Sequence, residues 1–349
     1  MELSELQKRI VNTTEQYVIV LAAAASGKTR VLTERARKLL RDGINPSDIA
    51  VITFTNLAAQ ELRERLADDY KDGIYIGTIH GLANKFLVTH GISTGKLIEK
   101  EEFDEFFTLL QQNPSCIKHI PIILLDEAQD SSWEEFNFIF NMIQPDSFFV
   151  CGDIRQSIYG FRGAQPELLQ KLGMEYGAKL YNLNENYRNG SNILSYAKRI
   201  LARDGMTDTS IAMRSGGIVY EGTCDIENII QWINNNGTFK DWAILCSTNR
   251  EIEWLMDELD ERKIPTITFK QGKMTKKELE TAMKDNVVKV LTRHSAKGLE
   301  FPYVVVYNPS WWGNEARRVN YVAATRARDI LMWLEPKKAP TKRKKYFGT

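Results

Sequence analysis

The sequence lacks several features that would place it in a special class of protein. Four of its 349 residues are cysteine, and these are far apart and form no Cys-x-x-Cys pair. The spacing therefore favours neither a zinc site nor a disulfide framework. No apolar run approaches the roughly 18 residues that a membrane span needs, and the first residues lack the basic start of a signal peptide. We expect a cytoplasmic protein without a membrane partner, in the host cytoplasm if the gene is viral.

An excess of charge of one sign is also missing. The chain carries 46 Lys and Arg against 45 Asp and Glu, for a formal net charge of +1. A polyanionic partner would have to be held by a local basic groove rather than by the overall field. The strongest basic cluster is the tail 337–349, for which a solvated end is expected, with nonspecific DNA contact as the alternative.

Short apolar strands alternate with amphipathic helical stretches along the chain, which is typical of parallel α/β architecture. One set of strands is predicted at 18–21, 49–53, 74–77, 122–125 and 148–151. A second set is predicted at 179–183, 218–220, 243–246, 287–291, 303–307 and 330–334. The glycine-bearing segment 172–177 separates the two sets, so we expect domains at 1–176 and 177–336.

The segment Ala22–Thr29 reads Ala-Ala-Ala-Ala-Ser-Gly-Lys-Thr and directly follows the apolar run 17–21. This pattern predicts a strand, a tight loop and a helix whose N-terminus cradles phosphates. Lys28 would meet the β- and γ-phosphates of ATP, and Ala24, Ala25, Ser26 and Gly27 would line the loop.

The loop has alanine where the common pattern has glycine, at Ala23 and Ala25. An alanine forced to positive φ costs on the order of 1–2 kcal/mol. Either these positions keep negative φ, or the loop is strained and binds ATP less well. A degenerate, inactive loop is the alternative interpretation.

A second apolar run, 122–125, ends in Asp126-Glu-Ala-Gln-Asp130. An acidic pair at a strand end could be a solvated turn, but after a phosphate-binding loop it indicates Mg²⁺ and water chemistry. The two segments together predict an ATP-hydrolysing P-loop protein.

Further segments resemble, in order, the motifs of the UvrD/Rep family of superfamily 1 helicases. The resemblance runs from the first few residues to about Leu334 and is carried by the segments Leu3–Gln7, Thr53–Asn56 with Ala58–Glu61, Gly77–His80, Cys151–Ala164, Asn184–Arg188, Thr292–Phe301 and Tyr321–Ala327. It implies tandem RecA-like domains with ATP in the interdomain cleft.

The resemblance also implies roles at the nucleotide. Thr29 and Asp126 would hold Mg²⁺, a hard ion that prefers oxygen ligands, and Glu127 would orient and deprotonate the attacking water. The remaining positions match residues that read or stack on adenine (Gln7, Tyr187, Arg30), touch the sugar (Glu300), sense the γ-phosphate (Gln156) and stabilise the transition-state charge (Arg188, Arg326). An ordinary packing or surface role is the alternative for each.

The same resemblance implies contacts with single-stranded DNA. Phe54, Tyr159 and Phe161 would stack on bases, and Phe161 replaces the family's usual tryptophan. Backbone contacts or coupling to them are implied for Thr55, Asn56, His80, Arg162, Thr292 and His294.

Large insertions that the family usually carries are missing from the gaps 81–121 and 270–286. We therefore expect a minimal ATP-dependent DNA helicase that translocates on single-stranded DNA and unwinds duplex, either alone or with a partner or a second copy. The resemblance implies movement from 3′ to 5′. One alternative is a translocase that displaces proteins without unwinding. Another is a nucleotide-dependent DNA-binding module that has lost hydrolysis, and the residues leave RNA open as a substrate.

Overall fold

The computed structural model describes residues 2–67, 73–203, 205–269, 274–313 and 315–336. The basic tail 337–349 lies outside the described residues. The chain divides into two units, Met1–Asn186 and Tyr187–Thr349. Among the described residues, no helix combines the length and the apolar character needed to cross a membrane.

The described part of the first unit holds a six-stranded parallel sheet. Its strands are β1 (Tyr17–Ala22), β2 (Ile49–Ile52), β3 (Tyr75–Gly77), β4 (Ile122–Leu125), β5 (Ser147–Gly152) and β6 (Lys179–Leu183). They lie in the order β3-β2-β4-β5-β1-β6. The carboxyl ends of β2, β4, β5 and β1 therefore meet at one edge of the sheet.

The strand β6 corrects the sequence prediction, which assigned 179–183 to the second sheet. It pairs in parallel with β1, with Lys179 opposite Val18 and Leu183 opposite Ala22. The glycine-bearing segment marks only a helix end, where Gly177 caps the helix at φ 59°. The chain then makes one more crossover into the first sheet, and the two units divide after Asn186.

Helices cover both faces of the first sheet. They are α1 (Glu5–Val11), α2 (Lys28–Arg41), α3 (Asn56–Leu66), α4 (Ile79–Thr89), α5 (Gly95–Glu99), α6 (Glu105–Gln112), α7 (Trp133–Asn137), which continues as a π-helical segment (Phe138–Ile143), and α8 (Leu168–Tyr176). Successive side chains of β1 point to opposite faces of the sheet. Val18 and Val20 belong to the core with α1 and α2, whereas Ile19 belongs to the core with α4 and α8.

Helix starts follow local capping chemistry. Ser4 and Ser132 form capping boxes with Gln7 and Glu135, and the Thr55 hydroxyl accepts the backbone N–H of Ala58. Such caps satisfy backbone donors that have no partner inside the helix. Since α1 and α3 each begin within a predicted motif, their caps fix the position at which each of these motifs enters its helix.

The described part of the second unit holds another six-stranded parallel sheet, in the order β11-β12-β10-β13-β14-β9. Its strands are β9 (Ile218–Cys224), β10 (Trp242–Cys246), β11 (Thr266–Ile267), β12 (Val288–Thr292), β13 (Phe301–Tyr307) and β14 (Ala327–Pro336). A separate pair is formed by β7 (Glu185–Gly190), which crosses the division between the units, and β8 (Ile211–Arg214). The helices of this unit are α9 (Ser191–Ala202), α10 (Ile226–Asn235), α11 (Asn249–Asp260), α12 (Lys276–Lys284) and α13 (Ala316–Ala324). The expected α/β class, with two parallel sheets, is confirmed.

Candidate nucleotide site and nucleic-acid interface

The loop between β1 and α2 has the predicted strand-loop-helix context, and Lys28 is the first residue of α2. Ala25 lies at φ 55° and Gly27 at φ 82°, both in the left-handed region, whereas Ala23 does not lie there. The sequence left two possibilities, negative φ or a strained positive φ, and each holds at one of the two alanines. Ala25 carries strain on the order of 1–2 kcal/mol, and Ala23 carries none of this kind.

The loop is held from both sides by buried amide side chains. Gln7 Nε2 donates to the carbonyl oxygen of Ser26 at 3.0 Å, and Asn186 Nδ2 donates to that of Ala24 at 3.0 Å. A Cβ built on Gly27 would lie 2.8 Å from Gln7 Nε2, so this position needs glycine for space as well as for its φ. Asn186 belongs to a segment quoted from the sequence, but its role at the loop was not predicted.

Four predicted residues come together where β1 and β4 end. Lys28 Nζ lies 2.7 Å from Glu127 Oε2, and the Thr29 hydroxyl donates to Asp126 Oδ2 at 2.8 Å. Lys28 and Asp126 are buried. The strand order explains the meeting, since only β5 separates β1 from β4.

Charge and burial shift the pKa values in this cluster. Burial raises the pKa of Asp126 to about 6, and the neighbouring Glu127 carboxylate adds to the rise. Burial opposes the charge of Lys28, but Glu127 and Asp126 together outweigh it and raise the pKa of the ammonium group. The pairing of a hydroxyl with a buried carboxylate offers the hard oxygen donors that Mg²⁺ prefers, so Thr29 and Asp126 fit the predicted metal site.

A hydrogen-bonded series of side chains leads away from Glu127. Gln129 Nε2 donates to Glu127 Oε2 at 2.5 Å, and Gln129 Oε1 accepts the backbone N–H of Asp153 at 2.8 Å. Asp153 Oδ2 then accepts from Gln156 Nε2 at 2.7 Å. The structure therefore connects two predicted catalytic residues, Glu127 and Gln156. Gln129 and Asp153 were missed, although both stand inside segments that the sequence singled out.

The segment after β5 also carries an aromatic cluster. The rings of Phe54 and Tyr159 stack with centroids 5.2 Å apart, and Phe161 meets Tyr159 edge-on at 5.9 Å. The Arg162 guanidinium lies 5.3 Å from the Tyr159 ring and 5.7 Å from the Phe161 ring. Phe161 is 69% exposed, which core packing does not explain. The three aromatics predicted to stack on bases therefore form one surface with a cation beside it.

Other predicted nucleic-acid residues of the first unit have structural partners. Thr55 caps α3, which begins at Asn56. His80 Nε2 lies 3.2 Å from Asp104 Oδ1, and His80 Nδ1 lies 3.4 Å from Glu135 Oε1. The side chain of His80 thus lies between two carboxylates of its own unit.

Arg188 and Glu300 of the second unit were assigned to different parts of the nucleotide, but they contact each other. Arg188 Nε donates to Glu300 Oε2 at 2.6 Å, and Arg188 Nη1 donates to the carbonyl oxygen of Thr325 at 3.2 Å. Burial would raise the pKa of Glu300, but the charge and hydrogen bond of Arg188, together with the charges of Arg326 and Arg328, outweigh it and lower the pKa. Arg188 and Glu300 thus form an ion pair.

Arg326 is not a surface residue. It is buried, and its guanidinium donates to the carbonyl oxygens of Val322 at 2.9 Å and Leu299 at 3.1 Å. Its alternative interpretation as a surface salt-bridge residue is wrong. The guanidinium instead ties α13 to the end of the segment 292–301.

The remaining predicted residues lie in two places. Arg30 stands in the first turn of α2 beside Thr29. In the second unit, Tyr187 lies in β7, His294 follows β12, and the Thr292 hydroxyl donates to Ser295 Oγ at 2.8 Å.

Comparison with known proteins shows the family to which the chain belongs. The model of the UvrD/REP helicase N-terminal domain matches residues 3–115 and 104–177, and that of the UvrD-like helicase C-terminal domain matches residues 181–284 and 272–335. The chain therefore belongs to the UvrD-like helicases, a family of tandem RecA-like domains. The two matches together cover most of the chain.

Individual relatives are similar at modest identity. The chain is 26% identical to a DNA helicase II of Escherichia coli, over 75% of this chain and 51% of that protein. It is 24% identical to a probable DNA helicase of Mycoplasma pneumoniae, over 94% of this chain and 82% of that protein. It is also 24% identical to an ATP-dependent DNA helicase PcrA of Leuconostoc citreum, over 74% of this chain and 48% of that protein. The chain spans about half the length of two of these relatives, the DNA helicase II and the PcrA helicase.

Proposed function

We propose that this chain is an ATP-driven DNA helicase that moves along single-stranded DNA, 3′ to 5′, and separates strands at a duplex junction. One observation carries the proposal: the cluster of Lys28, Thr29, Asp126 and Glu127 is connected through Gln129 to the segment after β5, which bears Tyr159 and Phe161. This arrangement supports coupling between the two sites, in which binding and hydrolysis of ATP change the affinity for DNA.

At the nucleotide, Lys28 and the backbone of the loop would bind the phosphates, and Thr29 and Asp126 would hold Mg²⁺. The metal would supply positive charge to the phosphate oxygens. The phosphates must compete with Glu127 for Lys28, since the two side chains are 2.7 Å apart. When Lys28 turns to a phosphate, the Glu127 carboxylate is released from it and can accept the proton of the attacking water.

The second unit would contribute the residues that complete hydrolysis. Arg188 and Arg326 would stabilise the charge of the phosphoryl-transfer transition state, a role worth about 10³–10⁵ in rate when an arginine performs it. Tyr187, with Gln7 and Arg30, would recognise adenine, and Glu300 would contact the sugar. Glu300 and the nucleotide would both contact Arg188, because Arg188 and Glu300 form an ion pair in this structure.

At the DNA, Phe54, Tyr159 and Phe161 would stack on bases irrespective of sequence, and Arg162 would meet the backbone. Gln156 would sense the γ-phosphate and report it through Asp153 to this surface. Thr55, Asn56, His80, Thr292 and His294 would contact the DNA backbone or couple to it. A protein partner or a second copy would assist at the junction.

The proposal is tested by steady-state ATPase activity with and without single-stranded DNA, for the wild type and Glu127→Gln. Glu134→Gln is the matched control, because this glutamate is exposed on α7 close by in the chain. The expected result is strong stimulation by DNA that Glu127→Gln abolishes and Glu134→Gln keeps. Absence of stimulated hydrolysis in the wild type would contradict the proposal.

A second candidate is a nucleotide-dependent DNA-binding module, and the left-handed Ala25 is the observation that favours it. Retained binding of ATP and DNA without hydrolysis would identify that module. A strand-displacement assay on naked duplex separates unwinding from the other alternative, a translocase that only displaces proteins.

A further inference from the structure

The loop after β13 presents an indole to solvent. Trp312 is 92% exposed, the highest value for a large hydrophobic side chain among the described residues. An exposed tryptophan forgoes the burial of an aromatic surface of roughly 150–250 Å². Neither the fold of the second unit nor the roles assigned above explain its position.

The residue before it is firmly packed. The Trp311 ring lies 5.8 Å from the Trp333 ring on β14, and the Arg203 and Arg317 guanidinium groups lie 5.5 and 5.8 Å from its centroid. The base of the loop is hydrogen-bonded as well, because the Asn308 backbone N–H donates to the Leu334 carbonyl oxygen at 2.9 Å. Trp312 is therefore exposed on a loop that is held by the contacts of Trp311 and Asn308.

The chemistry around Trp312 suits one class of ligand. Proteins bind single-stranded nucleic acid with aromatic rings that stack on bases and with cations that meet the backbone. Arg203 and Arg317 supply such cations at the ring of Trp311, the residue next to Trp312 in the loop. The combination of an exposed ring with two guanidinium groups favours an unstacked base over an apolar protein surface.

The position of the loop fits the same ligand. β10 lies between β12 and β13, so the carboxyl ends of β12 and β13 are about 10 Å apart at one edge of the sheet. Thr292 ends β12, and His294 follows two residues later. A single-stranded DNA that contacts Thr292 and His294 would reach the loop with Trp312 by continuing along this edge.

We propose that Trp312 stacks on a base of single-stranded DNA and extends the DNA-binding path of the second unit. This inference rests on the proposed function, because it needs a chain that binds single-stranded DNA. Stacking on one base contributes enough for alanine substitution to weaken binding by roughly 5- to 150-fold.

The test measures affinity at one fixed salt concentration, by fluorescence anisotropy, for two labelled oligomers of equal length. One is oligo-dT and the other has an abasic backbone, which keeps the phosphates and removes the bases. We expect Trp312→Ala to bind oligo-dT roughly tenfold or more weakly and the abasic oligomer within about twofold of the wild type. Trp312→Phe should bind oligo-dT with intermediate affinity.

Trp133→Ala is the control, since Trp133 is a partly exposed tryptophan of the first unit with Lys171 Nζ 4.3 Å from its ring centroid. It should bind oligo-dT like the wild type. The thermal unfolding midpoint of Trp312→Ala should match that of the wild type, because truncating so exposed a side chain leaves no cavity.

Equal affinity of Trp312→Ala and the wild type for oligo-dT would overturn the inference, and so would an equal loss on both oligomers. A protein partner for Trp312 would give the first of these results. A wild type that binds neither oligomer would overturn the proposed function and this inference with it.

Discussion

The guanidinium of Arg293 donates to the side-chain amide oxygen of Asn320, and both residues are buried. Arg293 follows β12, whereas Asn320 lies on α13 and donates to the Ser310 carbonyl oxygen at 3.0 Å. A second donor of the same guanidinium reaches Ser247 Oγ, just after β10. This pair therefore joins the segment 292–301 to the helix that precedes Arg326.

Replacing Asn320 with leucine should destabilise the second unit. The substitution removes the acceptor of a buried charged donor, for which the cost is roughly 2–3 kcal/mol. Chemical denaturation followed by circular dichroism measures the loss. The double variant Arg293→Met/Asn320→Leu should recover part of it, because no unpaired charge then remains. A double variant less stable than Asn320→Leu alone would contradict this account of the pair.

Replacing Ala25 with glycine should stabilise the protein, whereas replacing Ala23 with glycine should destabilise it. Glycine at φ 55° relieves the strain of the left-handed region, so the free energy of unfolding should rise by up to about 1 kcal/mol after the loss from chain entropy. Ala23→Gly is the control at an unstrained position and should lower it by roughly 0.5–1 kcal/mol. Equal effects of the two substitutions, measured by urea denaturation, would show that Ala25 is not strained.

Replacing Gln129 with methionine should weaken the coupling between DNA and ATP hydrolysis. The side chain is buried, and its amide bonds both Glu127 and the backbone of Asp153. The ratio of DNA-stimulated to basal ATPase activity should fall roughly 2- to 30-fold, the range of typical coupling energies. The same substitution at Gln112, which is exposed at the end of α6, should keep the ratio. An unchanged ratio in Gln129→Met would remove this residue from the coupling path.

Lys289 should make the stability of the second unit depend on pH above about pH 8. Its ammonium group is buried and donates to the carbonyl oxygens of Lys240, Met283 and Asp285 at 3.1–3.3 Å. Burial lowers the pKa of Lys289 to about 8, against the opposing charges of Asp241 and Asp285.

Between this value and the ordinary 10.5, the unfolded chain binds more protons than the folded chain. The contribution of Lys289 to stability therefore rises as the pH rises through that window and is lowest below it. Denaturation midpoints between pH 8 and 10 should increase less with pH in Lys289→Met than in the wild type. Identical slopes in the two proteins would contradict the assignment.

Much of the fold follows from local pattern. The apolar runs predicted eleven strands, and the phosphate-binding loop and the acidic strand end were identified from a few adjacent residues. The strands β7, β8 and β11 were not predicted. The strand β6 was assigned to the wrong sheet, because the pairing of a strand depends on residues that are distant in the sequence. Nothing in Lys179–Leu183 itself specifies pairing with β1.

The site was only partly predictable for a similar reason. Motifs identify Lys28, Glu127 and the stacking aromatics by residue type, but the hydrogen bonds of Gln129 and Arg293 join segments far apart in the sequence. The carbonyl oxygens on either side of Ala25 accept from Gln7 and Asn186, which lie outside the loop, so the loop sequence alone does not reveal these contacts.

The central claim is ATP-driven movement along single-stranded DNA in one direction. Streptavidin displacement from biotinylated oligonucleotides measures this most directly, with biotin at the 5′ end of one strand and at the 3′ end of another. The account predicts ATP-dependent displacement from the 5′ end, little from the 3′ end, and none with Glu127→Gln. DNA-stimulated ATP hydrolysis without displacement from either end would contradict it.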